Sequence, residues 1–101
     1  MKFKRDLVEG VMTVVLDGEL DERSARETRE FLDDSIRKNR FWRLVLDFGG
    51  VDFMDSTGIG VLLGRYNLLK SEGAEMCVTK LNSQIDKVFR VSGLYQIIKA
   101  V

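Results

Sequence analysis

Two segments that read as strands, Phe3–Val8 and Val11–Leu16, are separated only by Glu9-Gly10, and from there short apolar runs alternate with segments of helical periodicity as far as Ile98. This alternation constrains the fold more than any other feature. Strands joined by a two-residue turn run antiparallel, whereas strands joined through a helix can lie parallel. The predicted order is β-β-α-β-α-β-α-β, an α/β domain whose mixed sheet carries its helices mainly on one face. With 101 residues and no low-complexity tract, the chain reads as one domain with one core, residues 1–101.

The first helical segment runs from Ser24 to about Asn39, with Ala25, Thr28, Leu32 and Ile36 on one face and Phe31 beside them. Ser24 and Glu27 have the spacing of a capping box, and Asp21 offers an alternative start one turn earlier. Arg43–Phe48 is the best central strand, short, rich in branched residues and followed by Gly49-Gly50. The second helix spans Thr57 to Ser71, with Ile59, Leu62, Leu63, Tyr66 and Leu69 at helical spacing and Gly73 as its stop. Gly58, Gly60 and Gly64 each weaken that helix by roughly 1 kcal/mol where internal, so close packing against a sheet or a partner is expected of them. Met76–Thr79 reads as a strand, Ser83-Gln84-Ile85-Asp86 as the start of a helix ending at Gly93, and Ile97-Ile98 as a last short strand.

Several functions are disfavoured by what the chain contains. Sixteen basic and sixteen acidic side chains cancel, leaving no field or basic stripe for direct nucleic-acid binding. No segment approaches the roughly 20 apolar residues of a membrane span, and a cytoplasmic location is the default expectation. The chain has no histidine, which removes the usual proton shuttle and the commonest metal ligand. Gly58-Ile59-Gly60-Val61-Leu62-Leu63-Gly64 misses the dinucleotide fingerprint by one residue, and Gly64-Arg65-Tyr66 lacks the Lys-Ser/Thr of a phosphate-binding loop. Asp47, Asp52 and Asp55 lack the accompanying groups of a metal-dependent enzyme. The single Cys77, inside Met76-Cys77-Val78, reads as a buried, unreactive thiol. No cofactor, no metal and no catalytic residue is expected.

Asp55-Ser56-Thr57-Gly58 stands where an apolar segment gives way to a helix. The ordinary reading makes Ser56 or Thr57 a helix cap. A sharper reading takes the same hydroxyl as a target for a kinase. The free amides and the positive end of the helix dipole could accommodate a phosphate there, and roughly two negative charges would be added beside Asp55 and Asp21.

At this point the chain resembles a STAS domain of the bacterial anti-sigma factor antagonist family, especially the sporulation-type antagonist phosphorylated by its own anti-sigma factor. The resemblance rests on Gly18-Glu19-Leu20-Asp21, Leu44-Val45-Leu46-Asp47, the segment Phe53 to Arg65, Gly73-Ala74-Glu75-Met76, and Val88 to Leu94. It stops at Val101, short of the C-terminal helix that the family pattern often carries, and it lacks a proline common near the start of the penultimate helix. What the resemblance implies is a switch. Ser56 would be the phosphoacceptor of an anti-sigma factor that is an ATP-dependent serine kinase, and a serine phosphatase would restore the hydroxyl. The unphosphorylated form would bind the anti-sigma factor and release a sigma factor for transcription. Asp21, Asp55, Ser56, Thr57, Gly58, Ile59, Gly60 and Arg65 would form the partner surface, with Thr57 as an alternative acceptor. The same resemblance leaves open a scaffold or ligand-sensing module in a stress, motility or other regulatory pathway.

Overall fold

The computed structural model describes residues 1–101. Its elements are β1 (Lys2–Val8), β2 (Val11–Leu20), α1 (Ala25–Lys38), β3 (Arg43–Met54), α2 (Ser56–Ser71), β4 (Glu75–Thr79), α3 (Ser83–Ser92), a 3-10 turn (Leu94–Gln96) and β5 (Lys99–Ala100). The five strands lie in chain order across one sheet. β1 pairs antiparallel with β2, and every later pair is parallel. The order expected from the sequence is therefore the order found.

The opening hairpin turns through Glu9 and Gly10, both at positive φ, 50° and 80°. Those values belong to the two-residue turn whose twist matches that of the flanking strands. Each subsequent crossover moves one strand along the sheet, and the right-handed rule for such units sends every helix to the same face. That face carries the core. Met12, Val14 and Leu16 of β2, Leu44, Leu46 and Phe48 of β3, and Met76 and Val78 of β4 alternate into one cluster with Leu32, Leu62, Leu69, Ile85 and Phe89 from the helices. Phe48 meets Phe89 edge to face at 5.7 Å. Cys77 points away from this cluster yet is buried, and burial pushes its thiol above the ordinary value.

Some boundaries differ from the sequence reading, each for a local reason. β3 does not stop at Gly49-Gly50 but continues to Met54, because β2 continues beside it to Leu20 through two irregularities in register. In α1 the capping box does not form. Ser24 makes no side-chain cap, its hydroxyl donating to the Glu19 carbonyl at 2.5 Å, while Glu27 takes the chain's terminal ammonium at 3.0 Å. Ile36 packs half-buried against the core as expected, with Ser35 buried beside it, and in α2 Val61 is buried while Leu63 is exposed. The last strand is Lys99–Ala100, not Ile97-Ile98.

The cap of α3 is Asn82, not Ser83: its side-chain oxygen accepts from the Ile85 amide at 2.9 Å, and its amide group donates to the Val51 carbonyl at 3.1 Å. Asn82→Ala should therefore lower stability by about 1 kcal/mol. Urea denaturation would show the shift in midpoint at unchanged slope, and an unchanged midpoint would refute this cap.

Candidate functional site

The site is built by two strands that end together. Leu20 of β2 and Met54 of β3 are register partners, so Asp21 and Asp55, the next residue on each chain segment, leave the sheet side by side. The Asp55 amide donates to the Leu20 carbonyl at 3.4 Å, extending the pairing by one step. Asp55 then turns the chain into α2 from an extended conformation, φ −115° and ψ −169°. Its Oδ1 accepts from the amides of Thr57 and Gly58 at 2.9 and 3.2 Å.

The cap of α2 is thus Asp55, and neither Ser56 nor Thr57 fills the role that the ordinary reading gave them. Two of the amides expected to be free for a phosphate are already occupied. Ser56 becomes the first helical residue, exposed and outside the cap. Thr57 and Ile59 are half-buried and Gly58 is buried. A Cβ at Gly58 would lie 2.6 Å from the Leu20 carbonyl oxygen and 2.7 Å from Met54 Cγ, so this glycine does permit the close approach expected of it. Gly60 does not, since a Cβ there would meet nothing within 4 Å, and Gly64 is equally open.

Arg65 stands apart from the rest. Nine residues along α2, about 14 Å from Ser56 by helical rise, its Nε lies 3.0 Å from Asp33 Oδ1 of α1. The N–H is not aimed at that oxygen, and Nη1 is buried without a partner, so the contact is an inter-helix charge pair rather than a hydrogen bond. The structure brings together Asp21, Asp55, Ser56, Thr57 and Gly58, places Ile59 and Gly60 on the next turn, and leaves Arg65 between helices. Phe53, 39% exposed one position before Met54, adds an apolar side chain on this edge that sequence reasoning did not single out. The burial alternation of β3 breaks there, with Val51 and Met54 buried and Asp52-Phe53 exposed between them. Asp47 pairs with Lys80 at 3.2 Å.

Asp21 stabilises its own loop. Its Oδ1 accepts from the amides of Arg23 and Ser24 at 3.0 and 3.1 Å, and these bonds, Ser24's first, hold the carboxyl below its ordinary value of 3.8. A carboxyl lowered in the folded state contributes above its unfolded pKa and loses that contribution as pH falls through the lower, folded one. An NMR titration should therefore place the Asp21 midpoint below 3.8, with the Arg23 and Ser24 amides losing protection only beneath it. A midpoint at or above the ordinary value would contradict this geometry.

A family model described as the STAS domain matches residues 3–101. The chain is similar to the Anti-sigma F factor antagonist of Paenibacillus polymyxa, 39% identical over 88 residues that cover 87% of this chain and 75% of that one. Among solved structures it resembles the anti-sigma factor antagonist SpoIIAA in its unphosphorylated form, with TM-score 0.82 at 26% identity over 99% of this chain and 88% of that one. It also resembles the Bacillus cell fate determinant SpoIIAA in its phosphorylated form, with TM-score 0.74 at 25% identity over 99% and 91%.

Proposed function

The chain belongs to the STAS-domain family, among the anti-sigma factor antagonists, and on that premise we propose that it is a binding protein gated by phosphorylation of Ser56. In the unphosphorylated state it binds an anti-sigma factor kinase, and the sigma factor held by that kinase is released. The kinase transfers the γ-phosphoryl group of ATP to the Ser56 oxygen, the hydroxyl proton leaves, and ADP departs. A serine phosphatase hydrolyses the ester and resets the protein. On this reading the chain is a ligand and a substrate rather than an enzyme, and it works in the cytoplasm where sigma factors act.

The observation that carries the proposal is the exposed Ser56 at the first position of α2, relieved of the capping role by its neighbour. Phosphoryl transfer depends chiefly on positioning, and a hydroxyl fixed at a helix terminus but engaged by nothing meets that need. The electrostatics support a switch at the same place. The ester adds roughly 1.5 to 2 negative charges next to Asp55, with the Asp21 carboxylate on the neighbouring loop. A partner surface suited to the unmodified protein then faces like charge or loses its fit. Asp21, Asp55, Thr57, Gly58, Ile59 and Gly60 supply the contact in this reading. Arg65 acts at most by fixing α2 against α1.

The direct test uses the full chain, MgATP and the anti-sigma F factor of Paenibacillus polymyxa. Intact-protein mass spectrometry should show one phosphate, and peptide mapping should locate it on Ser56. Modification at Thr57 alone, or at several scattered hydroxyls, would overturn the assignment.

A further inference from the structure

Resting on Ser56 as the phosphoacceptor, we infer that Asp55 is a positioning residue for that phosphorylation: by capping α2 itself, it keeps the Ser56 hydroxyl out of the cap. A helix start leaves backbone amides unsatisfied, and asparagine, aspartate and serine are the residues best able to accept from them, with threonine next. Asp55-Ser56-Thr57 therefore offers three candidate caps in a row. Only one can set the first turn.

Tertiary structure decides the competition. The register of β2 and β3 fixes Asp55 against Leu20, the Asp55 carbonyl accepts the first helical bond from the Ile59 amide at 3.1 Å, and Gly58 lets the turn sit directly on the Leu20 carbonyl. With the backbone placed this way, the Asp55 carboxylate falls on the Thr57 and Gly58 amides. Deprived of that carboxylate, the next residue able to cap is Ser56. The helix would then start one residue later, and the Ser56 oxygen would fold back to accept from the amides at the second or third helical position. A hydroxyl engaged in that way is turned from solvent, and one of its two lone pairs is committed to the cap. Asp55 thus sets which hydroxyl is available, a role separate from any charge it offers to a partner.

Three full-length variants separate the possibilities: Asp55→Ala removes the cap, Asp55→Asn keeps the accepting oxygen but removes the charge, and Asp52→Asn removes an exposed neighbouring charge without touching the cap. The first readout needs no kinase. In Asp55→Ala, hydrogen exchange at Thr57 should accelerate, and the Ser56 carbon shifts should move from helical to N-cap values, while Asp55→Asn and Asp52→Asn retain the wild-type pattern. The second readout is kcat/KM for Ser56 phosphorylation by the Paenibacillus polymyxa anti-sigma F factor with MgATP. Asp55→Ala should fall about fivefold or more below Asp55→Asn, in line with the usual strength of a cap, because Asp55→Asn loses only the charge offered to the partner, and Asp52→Asn should stay within about twofold of wild type. Unchanged exchange and unchanged Ser56 shifts in Asp55→Ala overturn the inference, as does a loss of rate in Asp55→Asn equal to that of Asp55→Ala. A wild type that acquires phosphate elsewhere overturns the assignment of Ser56 instead, and the exchange measurement still judges the cap.

Discussion

Ser56→Ala should accept no phosphate, should bind the anti-sigma factor within about twofold of the unmodified wild type, and should melt at the same temperature. The first follows from the lost hydroxyl, and the other two share one cause. Ser56 is exposed and outside the cap of α2, so truncating it removes no internal contact, and surface changes of this kind stay within about 0.5 kcal/mol. Ser56→Asp is the informative partner. An aspartate at the first helical position interacts favourably with the helix dipole, by about 0.3 to 1 kcal/mol, so this variant should be at least as stable as the wild type. Weakened binding cannot then be blamed on unfolding. Placed beside Asp55, the added charge should lower affinity about tenfold or more, equivalent to about 1.4 kcal/mol, and the loss should shrink as salt is raised, because exposed charges are screened over a Debye length of about 10 Å at 0.1 M. Calorimetric titration at two ionic strengths measures both effects. Equal affinity of Ser56→Asp and Ser56→Ala would end the electrostatic account of the switch, and a full phosphate on Ser56→Ala would end the assignment of the acceptor.

The sequence made the order of elements legible because period-two and period-3.6 patterns are properties of neighbouring residues. The helix start that carries the candidate site was legible for a related reason: Asp55-Ser56-Thr57-Gly58 announces a helix start in any context. Which residue caps that start was not legible. Asp55, Ser56 and Thr57 are all competent, and the choice is made by a long-range pairing, Leu20 with Met54, that no local pattern encodes. The same pairing explains the misplaced end of β3. Gly49-Gly50 is a plausible terminus by composition, but Gly50 pairs with Asp17 and Val51 with Gly18, so the strand is carried past the glycines by its neighbour. Ser24 and Glu27 satisfied a local rule and still did not form a capping box, since the Glu19 carbonyl and the terminal ammonium offered each a distant partner.

Gly58→Ala and Gly60→Ala should move stability in opposite directions, although the two glycines are two residues apart on one helix. At Gly58 the added methyl would stand 2.6 Å from the Leu20 carbonyl oxygen and 2.7 Å from Met54 Cγ. Met54 can swing aside, but the carbonyl is fixed, because it accepts the Asp55 amide that joins the two strand ends. Relief requires the first turn of α2 to lift from β2, and forced overpacking of this kind costs about 1 to 3 kcal/mol. At roughly 4 to 8 °C per kcal/mol for a domain of this size, a fall of about 10 °C in melting temperature is the expected result. Gly60→Ala meets open space and replaces the weaker helix former with the strongest, a gain of about 0.8 to 1 kcal/mol and a rise of several degrees. Thermal denaturation followed by circular dichroism measures both. The displacement matters beyond stability, since the turn that lifts in Gly58→Ala is the one that holds Asp55 and Ser56. Phosphorylation should therefore fall in Gly58→Ala even at temperatures where the variant is fully folded. A Gly58→Ala protein as stable as the wild type would mean that α2 does not rest on the end of β2, and the geometry that presents Ser56 would fall with it.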